Sequence, residues 1–455
     1  MDPRFNEVFA EYARRTPRSK ELWETGRRWS PLGVHSNYRF LEPYPFYVDR
    51  AKGVNLWDAD GNEYLDFNMA FGSLQSGHAH PKLVEALGRQ LERGSIYGYE
   101  WERTPEVAER ICRRYGMDKV RFSTTGLEAT HHAIRFARAF TKKRYVLKFE
   151  GCYHGSHDTL LVGVKPRAEV AGSKEHPASA PASPGILSEL SERTLVAPFN
   201  DLEATRRLAR EHRDDLAAVI AEPIPMNMGF ILPDDGFFPG VRELCDELGT
   251  LLIFDEIKTG AKYLHGGAGR LGVRPDLITL GKSIACGVPM SAIAGGPGVL
   301  DNVGPRKVAH AGTYNSNPLA MAACLASLEH ILTEEGLQRS TRLNERLAKG
   351  YAEVFDDAGV TANVCADGVS GTVYFSDHAV RNWRDFLQVD GDRSMLYYYL
   401  CLNQGLIPSG TGPDEQWTLS VQHTEADVDR HLEVLGTVAE RLAGAPQAGE
   451  IEESV

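Results

Sequence analysis

The sequence contains no apolar run long enough to span a bilayer, and its first residues, MDPRFNEVFAEYARR, lack the pattern of a secretory signal. No Lys/Arg run or basic stripe stands out, and the net charge is −12, so nucleic acid is not an expected partner. The seven cysteines are scattered and include no CxxC pair. Such a set is typical of reduced thiols, so we expect a cytoplasmic protein without membrane attachment.

Motifs for metals and nucleotides are also missing or incomplete. No HExxH occurs, and no histidine pair has cysteines or carboxylates at zinc spacing, so we expect no metal. The histidines of the first half, His78, His80, His131, His132, His154 and His157, are therefore expected at the surface or in loops. The GAGRLG segment at 267–272 matches GxGxxG but lacks the strand before it and has Pro275 after it, which favours a flexible turn. Residues 281–283, GKS, resemble the end of a P-loop, but Asp276 stands where that motif needs glycine.

The composition, with 455 residues, 42% hydrophobic and 25% charged, is that of a globular protein with room for two or three domains. Beyond about residue 95, short apolar segments rich in β-branched and aromatic residues alternate with helical patterns. The candidate strands are KVRFST, RYVLKFE, LAAVIAE, LLIFDE and DLITLG. This alternation predicts an α/β fold with a parallel sheet covered on both faces, and ligands at the carboxyl ends of its strands.

Outside this region the patterns are more varied. The segment 47–67 alternates in polarity around Asp60-Gly61, which predicts a hairpin. Residues 165–190 are rich in Pro, Ala, Ser and Gly and suggest a lid or a disordered loop, and the tail 444–455 is expected to fray. The predicted domains are an N-terminal segment, 1–75, that packs with the small domain, a large domain, 76–320, and a small α+β domain, 321–455.

Three features at predicted strand ends carry chemistry. In VRFSTTGLEATHHAIRFARA, residues 120–139, a strand turns directly into a helix, whose free N–H groups suit an anion. Asp255 ends the buried segment LLIFDE. Lys282 lies just past the end of DLITLG, where desolvation would free its amine as a nucleophile. Alone, each has an ordinary explanation, a helix cap or an exposed lysine, but together they form an anion cradle, a carboxylate and an amine.

This set is what pyridoxal 5′-phosphate requires. The phosphate needs an anchor, the pyridine nitrogen needs a carboxylate to keep it protonated, and the aldehyde needs a lysine for the Schiff base. The protonated ring is then a sink for the electron pair left when a substrate Cα loses its proton, and the freed lysine carries that proton.

The chain resembles the class III aminotransferases of fold type I, and among them the glutamate-1-semialdehyde 2,1-aminomutase group. The resemblance covers about residues 25–440 and includes many segments in the same order. They are GVHSNYRF, LWDADGNEYLDF, GHAHP, ARAFT, KFEGCYHGSHD, FNDLEA, AEPIPMNMG, ELCDELGTLLIFDE, TLGK, AGTYNSNP and LSVQHTEADVD. The resemblance implies a large domain with a mostly parallel seven-stranded sheet and a smaller α+β domain. It also implies a homodimer with active sites at the interface between subunits.

The resemblance assigns roles around the cofactor. Catalysis falls to Lys282, which forms the Schiff base and moves protons, Asp255, which pairs with the pyridine nitrogen, and Tyr153, which stacks on the ring. The other residues expected to bind the cofactor are Thr125, Gly126 and Leu127 at the phosphate, His154 beside Tyr153, Glu222 and Asn227 near the ring's 3′-oxygen, and Thr313, which reaches the phosphate of the neighbouring subunit.

Four residues are expected on the substrate side. The resemblance makes Arg39 the clamp for a substrate carboxylate, with Ser36 assisting, and a bidentate Arg–carboxylate pair gives orientation as well as affinity. It places Phe71 where a tryptophan faces the ring. Glu415 would favour a substrate amine and repel a second carboxylate. Its sequence context is equally typical of an exposed acidic residue in a loop, beside Asp414.

Several positions depart from the family's pattern. Leu127 replaces a threonine in the phosphate turn, Lys262 stands where arginine is common, and Phe71 lies in MAFG where GSWG is usual. We therefore expect a class III aminotransferase that moves an amino group between small amine and keto substrates, an amino acid or β-amino acid among them. The aminomutase reaction, an intramolecular amino transfer, is the alternative. The third possibility, a catalytically silent relative, fits poorly with retention of Lys282 and Asp255.

Overall fold

The computed structural model describes residues 4–443, and the tail for which fraying was predicted lies outside the described residues. The described chain forms two compact units. The larger unit comprises residues 81–337 and 380–387, and the smaller unit comprises residues 4–80, 338–379 and 388–443. The three-part division made from the sequence stays a prediction.

Helices occur throughout the described chain and range from single turns to 24 residues. They are α1 (Arg4–Arg15), α2 (Pro17–Gly26), α3 (Met69–Gly72), α4 (Pro81–Arg93), α5 (Thr104–Tyr115), α6 (Gly126–Thr141), α7 (Ser188–Ser191), α8 (Leu202–Glu211), α9 (Phe237–Leu248), α10 (Gly266–Leu271), α11 (Pro297–Leu300), α12 (Pro318–His330), α13 (Glu334–Asp357), α14 (Trp383–Phe386), α15 (Gly391–Asn403) and α16 (Glu425–Ala443).

The strands are short, as in most globular sheets. They are β1 (Val48–Lys52), β2 (Asn55–Asp58), β3 (Glu63–Asp66), β4 (Lys119–Ser123), β5 (Tyr145–Phe149), β6 (Thr194–Ala197), β7 (Leu216–Ala221), β8 (Leu251–Glu256), β9 (Leu277–Leu280), β10 (Ser291–Gly295), β11 (Asn363–Asp367), β12 (Ser370–Tyr374), β13 (Leu406–Ile407) and β14 (Trp417–Thr418).

The larger unit is built on a seven-stranded sheet in the order β4-β10-β9-β8-β7-β5-β6. All pairings are parallel except those of β10, which runs antiparallel to both neighbours. The α/β architecture and all five strands expected from the sequence are confirmed. The strands β6 and β10 escaped the sequence analysis because TLVA is very short and SAIAG consists mostly of small residues, which carry a weak strand signal.

The smaller unit contains a four-stranded sheet, β1-β2-β3-β13, and a three-stranded sheet, β11-β12-β14. The hairpin predicted around Asp60-Gly61 is confirmed, since β2 and β3 pair antiparallel on either side of it. The core of this unit is rich in aromatic rings, among them Tyr351 and Trp417, which stack with centroids 4.8 Å apart. Helices α1, α15 and α16 contribute apolar residues to this core.

Between residues 4 and 443, no helix is both long and apolar enough to cross a membrane. In the same part of the chain, no group of three or more His, Cys, Asp or Glu side chains is placed to hold a metal ion. The seven cysteines are all free thiols.

Candidate active site

Asp255 lies at the carboxyl end of β8 with 5% of its surface exposed. Its Oδ1 accepts hydrogen bonds from the Thr279 hydroxyl at 2.9 Å and the Ile257 amide at 3.2 Å, and its Oδ2 lies 2.7 Å from His154 Nδ1. An ionised carboxylate oxygen offers about two acceptor positions, so Oδ2 keeps one for a ligand. The strand end therefore presents a buried, oriented negative charge.

His154 lies in a loop, as expected for the histidines of the first half, but it is not at the surface. Its side chain is fully buried, because Asp255 accepts from its Nδ1 and Thr130 Oγ1 donates to its carbonyl at 2.6 Å. A carboxylate can only accept, so Nδ1 carries the proton of this hydrogen bond. In the described chain Nε2 is buried without a hydrogen-bond partner. A hydrogen bond to Asp255 stabilises the buried His154 side chain. Because Asp255 lies 101 residues away in sequence, no local pattern predicts this burial.

The predicted anion turn has the expected strand-to-helix form, since β4 ends at Ser123 and α6 begins at Gly126. Thr125 caps the helix in a capping box: its hydroxyl accepts from the Glu128 amide at 3.3 Å, and the Glu128 carboxylate accepts from the Thr125 amide at 2.7 Å. The Thr125 hydroxyl also donates to Glu128 at 3.1 Å. The Gly126 and Leu127 amides have no recorded partner in the described chain, so two first-turn donors remain for an anion.

Ile257 connects the anion turn to the other two features. A Cβ added at Gly126 would lie 3.2 Å from the Ile257 side chain, and one added at Gly281 would lie 2.9 Å from it. Gly281, which precedes Lys282, and Gly126, which begins α6, therefore both pack on Ile257. Ile257 itself lies two positions after Asp255. Similarly, a Cβ at Gly155 would lie 2.9 Å from the Leu127 Cα, which brings the segment after His154 against the same turn.

Lys282 begins a short 3₁₀ turn, Lys282–Ile284, directly after β9 and is half-buried. Its φ of 50° is left-handed, a conformation that L residues keep only where the surroundings hold it and that often marks functional positions. The nearby Lys262 is fully buried, and burial together with the charges of Lys258 and Lys282 lowers the pKa of Lys262 to about 7. Three lysines therefore crowd this corner of the larger unit.

Glu222 joins the segment that carries Tyr153 to the segment that carries Asn227. It is 3% exposed, and its carboxylate accepts from the Tyr153 amide at 3.0 Å and from Asn227 Nδ2 at 2.9 Å. The Met226 amide donates to it at 3.2 Å. All three predicted residues are thus brought together, with Glu222 as a fixed acceptor.

The GxGxxG segment, expected to be a flexible turn, is instead the short helix α10, so that expectation was wrong. The buried Glu256 carboxylate accepts from the Gly267 and Ala268 amides, each at 2.7 Å, and so caps the helix N-terminus. Gly267 lacks a Cβ for a steric reason, since one would lie 2.6 Å from the Pro223 side chain. The anion at this turn is the protein's own carboxylate.

The four predicted substrate residues all lie in the smaller unit. Arg39 is exposed on the 3₁₀ turn Asn37–Arg39, and its amide donates to the Ser36 carbonyl at 3.0 Å. Phe71 and Glu415 meet at Gly410, where an added Cβ would lie 3.1 Å from Phe71 Cδ1 and 2.8 Å from Glu415 Cβ. Glu415 is 5% exposed. The alternative interpretation of its sequence context, an exposed acidic residue in a loop, is therefore wrong.

Thr313 lies in an exposed stretch of the larger unit, and no hydrogen bond of its hydroxyl is recorded within the described chain. Its contact with a neighbouring subunit stays a prediction.

The suggested lid at 165–190 has no regular element before α7, but hydrogen bonds hold it to other segments in several places. Trp383 Nε1 donates to the Pro166 carbonyl at 2.8 Å, Arg384 to the Ala171 carbonyl at 2.7 Å, and Arg207 to the Glu175 carbonyl at 2.9 Å.

The sequence analysis missed several buried residues that hold this site. Thr279 orients Asp255, and Ser291 Oγ donates to the Thr125 carbonyl at 2.7 Å. Lys148, fully buried on β5, donates to the carbonyls of Cys152 at 2.7 Å and Val162 at 2.6 Å, and burial lowers the pKa of Lys148 to about 8. A lysine inside an apolar strand, as in RYVLKFE, is the signal that could have identified it.

The mostly parallel seven-stranded sheet, with this set of residues at its strand ends, defines an enzyme of the fold type I transferase class. The chain belongs to the class-III aminotransferase family, whose model matches residues 39–423. It is 38% identical to a glutamate-1-semialdehyde 2,1-aminomutase of Methanopyrus kandleri over 431 residues, 94% of this chain and 98% of that one. Among solved structures it is similar to an omega-transaminase from Sphaerobacter thermophilus, with a TM-score of 0.89 and 31% identity over 94% of this chain and 98% of that one. It is also similar to a transaminase solved with PLP bound, with a TM-score of 0.85 and 28% identity over 94% of this chain and 98% of that one.

Proposed function

We propose that this aminotransferase binds pyridoxal 5′-phosphate and uses Lys282 to move an amino group to or from a small carboxylate-bearing amine. The observation that carries the proposal is the packing of Gly126 and Gly281 on Ile257. It brings an anion-binding turn, a buried carboxylate and a lysine to one edge of the sheet. These are the parts that the cofactor needs.

The residues present fit the cofactor. Gly126 and Leu127 offer first-turn amides to a phosphate, and the helix dipole of α6 favours its negative charge. Asp255 Oδ2 has an acceptor position for a protonated ring nitrogen, and His154 fixes the orientation of that carboxylate. Tyr153 would supply the aromatic face, on a backbone fixed by Glu222.

When bound, the cofactor supplies an electron sink for the pair left on the substrate Cα after proton loss. Lys282 Nζ takes up the Cα proton and returns a proton in the second half of the reaction. Asp255 holds the proton on the ring nitrogen, because a buried negative charge opposes its loss. The buried Lys258, which donates to the Met226 carbonyl at 2.9 Å, helps to fix the segment that carries Asn227.

On the substrate side, we propose that Arg39 binds the substrate carboxylate, with Ser36 beside it. The exposed guanidinium has no recorded hydrogen bond in the described chain. Glu415 would receive an ammonium group, and Phe71 would form the apolar wall next to it. A cationic and an anionic side chain at one substrate site would select a zwitterionic substrate over a dicarboxylate.

We also propose a homodimer, in which Thr313 contacts the phosphate of the partner subunit. The exposed stretch around Thr313 supports this, together with the exposed rings of Tyr99 and Tyr314. A groove of about 500 Å³ adjoins them, lined by Trp101 and His310 among others. The free cysteines support a cytoplasmic location.

The second candidate is the aminomutase reaction, which the similarity to the Methanopyrus enzyme favours. The departures at Leu127 and Phe71 favour intermolecular transfer instead. To separate the two, the protein is converted to its pyridoxamine form and given glutamate 1-semialdehyde without any other donor or acceptor. Sustained isomerisation identifies the mutase, and a single turnover identifies the transferase.

The cofactor proposal has its own test. Purified protein should show the yellow absorbance of bound pyridoxal phosphate, and Lys282→Ala should remove it. Protein that takes up no pyridoxal phosphate in a spectral titration would refute the proposal.

A further inference from the structure

The segment α3 (Met69–Gly72) in the smaller unit is a left-handed turn, and its last residue, Gly72, has a φ of 72°. The φ angles of Met69, Ala70 and Phe71 are 47°, 53° and 57°. L residues avoid this region because Cβ crowds the following carbonyl oxygen, and they adopt it singly far more often than in succession. Three such residues in a row persist only where the surrounding structure over-determines them.

Two side chains hold the turn from inside. Asp66 Oδ1 accepts from the Asn68 amide at 2.8 Å and from the Met69 amide at 3.1 Å. Asn68 Oδ1 accepts from the Phe71 amide at 2.7 Å. The Met69 side chain is fully buried in the core of the unit, so the turn cannot relax outward without exposing it.

His78 in turn orients Asp66. His78 Nε2 lies 2.8 Å from Asp66 Oδ2, and the Asp66 side chain is 4% exposed. The backbone of His78 is fixed as well, because it exchanges hydrogen bonds with Gly53 at 2.7 and 2.9 Å and accepts from Gln422 Nε2 at 3.2 Å. The chain His78–Asp66–Asn68 therefore runs from a rigid backbone to the Phe71 amide.

The turn sets Phe71 beside Glu415, a proposed substrate residue, and beside Tyr38. Phe71 and Glu415 both border Gly410, where an added Cβ would lie 3.1 Å from the ring and 2.8 Å from Glu415. The Tyr38 ring centroid is 6.3 Å from that of Phe71, and Tyr38 directly precedes Arg39. A return of the turn to a right-handed backbone would change the direction of the ring.

We propose that Asp66 and His78 are positioning residues for substrate specificity, because they hold the left-handed turn that fixes Phe71 beside Glu415. The inference rests on the proposed function, since it takes Phe71 and Glu415 as substrate-binding residues. Neither Asp66 nor His78 needs to touch the substrate. Their effect is on the fit of the substrate and leaves cofactor binding unchanged.

The test compares His78→Gln and Asn68→Ala with the wild-type holoenzyme. Two half-reactions are followed: the pyridoxamine form with glutamate 1-semialdehyde, the substrate of the aminomutase reaction, and the pyridoxal form with β-phenylalanine, a β-amino acid. For whichever probe the wild type converts, each variant should raise the half-saturating concentration about tenfold, the equivalent of one lost hydrogen bond, with little change in the limiting rate. The affinity for pyridoxal phosphate should stay unchanged.

A backbone variant separates positioning from general damage. Glycine adopts positive φ without a Cβ penalty, so Ala70→Gly in the His78→Gln background should recover much of the lost substrate affinity. Lys142→Gly is the matched control, because Lys142 also has a positive φ, of 61°, but lies at the end of α6. It should give no recovery.

Hydrogen exchange provides a readout that needs no substrate. In His78→Gln, exchange of the Met69 and Phe71 amides should accelerate, whereas the amides of β8 should keep their protection. Unchanged half-saturation and exchange in both variants would overturn the inference and leave the proposed function intact. A wild type that binds no pyridoxal phosphate or converts neither probe would refute the proposed function, and the inference with it.

Discussion

The two units hold their functional residues by different means. In the larger unit, Asp255, Glu222 and Glu256 are buried carboxylates that each accept three recorded hydrogen bonds. In the smaller unit, Arg39 is exposed on a 3₁₀ turn, and Phe71 rests on a left-handed backbone. A buried carboxylate held by several hydrogen bonds has one arrangement, whereas small substitutions can change an exposed side chain or a strained turn. The proposed cofactor site therefore relies on buried, hydrogen-bonded carboxylates, whereas the proposed substrate residues Arg39 and Phe71 depend on an exposed position and a strained turn.

The largest expected effect is that of Lys282→Ala on the larger unit. Because Lys282 is the proposed nucleophile and proton carrier, its loss should lower kcat at least about a thousandfold. Lys282 is half-buried, so the fold should survive. Steady-state kinetics and the melting temperature measure the two effects. Lys349→Ala, an exposed change on α13, is the control and should behave like wild type.

A matching change in the smaller unit, Arg39→Gln, should act on substrate binding. Without the guanidinium, KM for a carboxylate substrate should rise about tenfold to a hundredfold, because a charge-assisted contact is lost. The visible absorbance of the cofactor should stay the same. An unchanged KM would show that Arg39 does not bind the substrate. Loss of the cofactor absorbance in Arg39→Gln would contradict the assignment of cofactor binding to the larger unit alone.

Acid should weaken both units through buried histidines. Burial, followed by the charge of His423, lowers the pKa of His431 to about 3, and burial and His131 lower the pKa of His157 to about 3. Because these pKa values fall on folding, the unfolded chain binds more protons between about pH 3 and 6.5. Stability is then complete above pH 6.5 and lost as the pH falls.

For the fully buried His431 the loss should be roughly 2 kcal/mol at pH 5. Urea unfolding at pH 7.5 and pH 5 measures it. His431→Gln should flatten the pH dependence in the smaller unit, whereas His176→Gln, at an exposed position, should not. An equal slope in both variants would contradict the assignment.

The smallest effect is expected for Leu127→Thr in the phosphate turn. The proposed donors are backbone amides, which do not depend on the side chain, so the Kd for pyridoxal phosphate should change by less than about threefold. Gly155→Ala is the contrasting variant, because its Cβ would lie 2.9 Å from the Leu127 Cα. Spectral titration should show weaker cofactor binding for Gly155→Ala only. A large loss for Leu127→Thr would mean that its packing on Gly155 holds the turn.

Much of the fold could be predicted because its signals are local. Five of the seven sheet strands are apolar segments bounded by turns, and the start of α6 follows from Thr125 and Glu128, the two ends of a capping box. The strand β10 was missed because SAIAG has little strand character by itself. It is stabilised by pairing with β9, the strand before it, and with β4, which is distant in sequence.

The sequence by itself determined the residue types at the strand ends: an anion turn, Asp255 and Lys282 follow their strands whatever the order of the sheet. Only the tertiary structure decided which partners complete them. It buried His154 against Asp255, set Ile257 between Gly126 and Gly281, and made Glu256 the cap of α10. The physical reason is that burial and close packing depend on strand order and on contacts between distant segments, which no local pattern records.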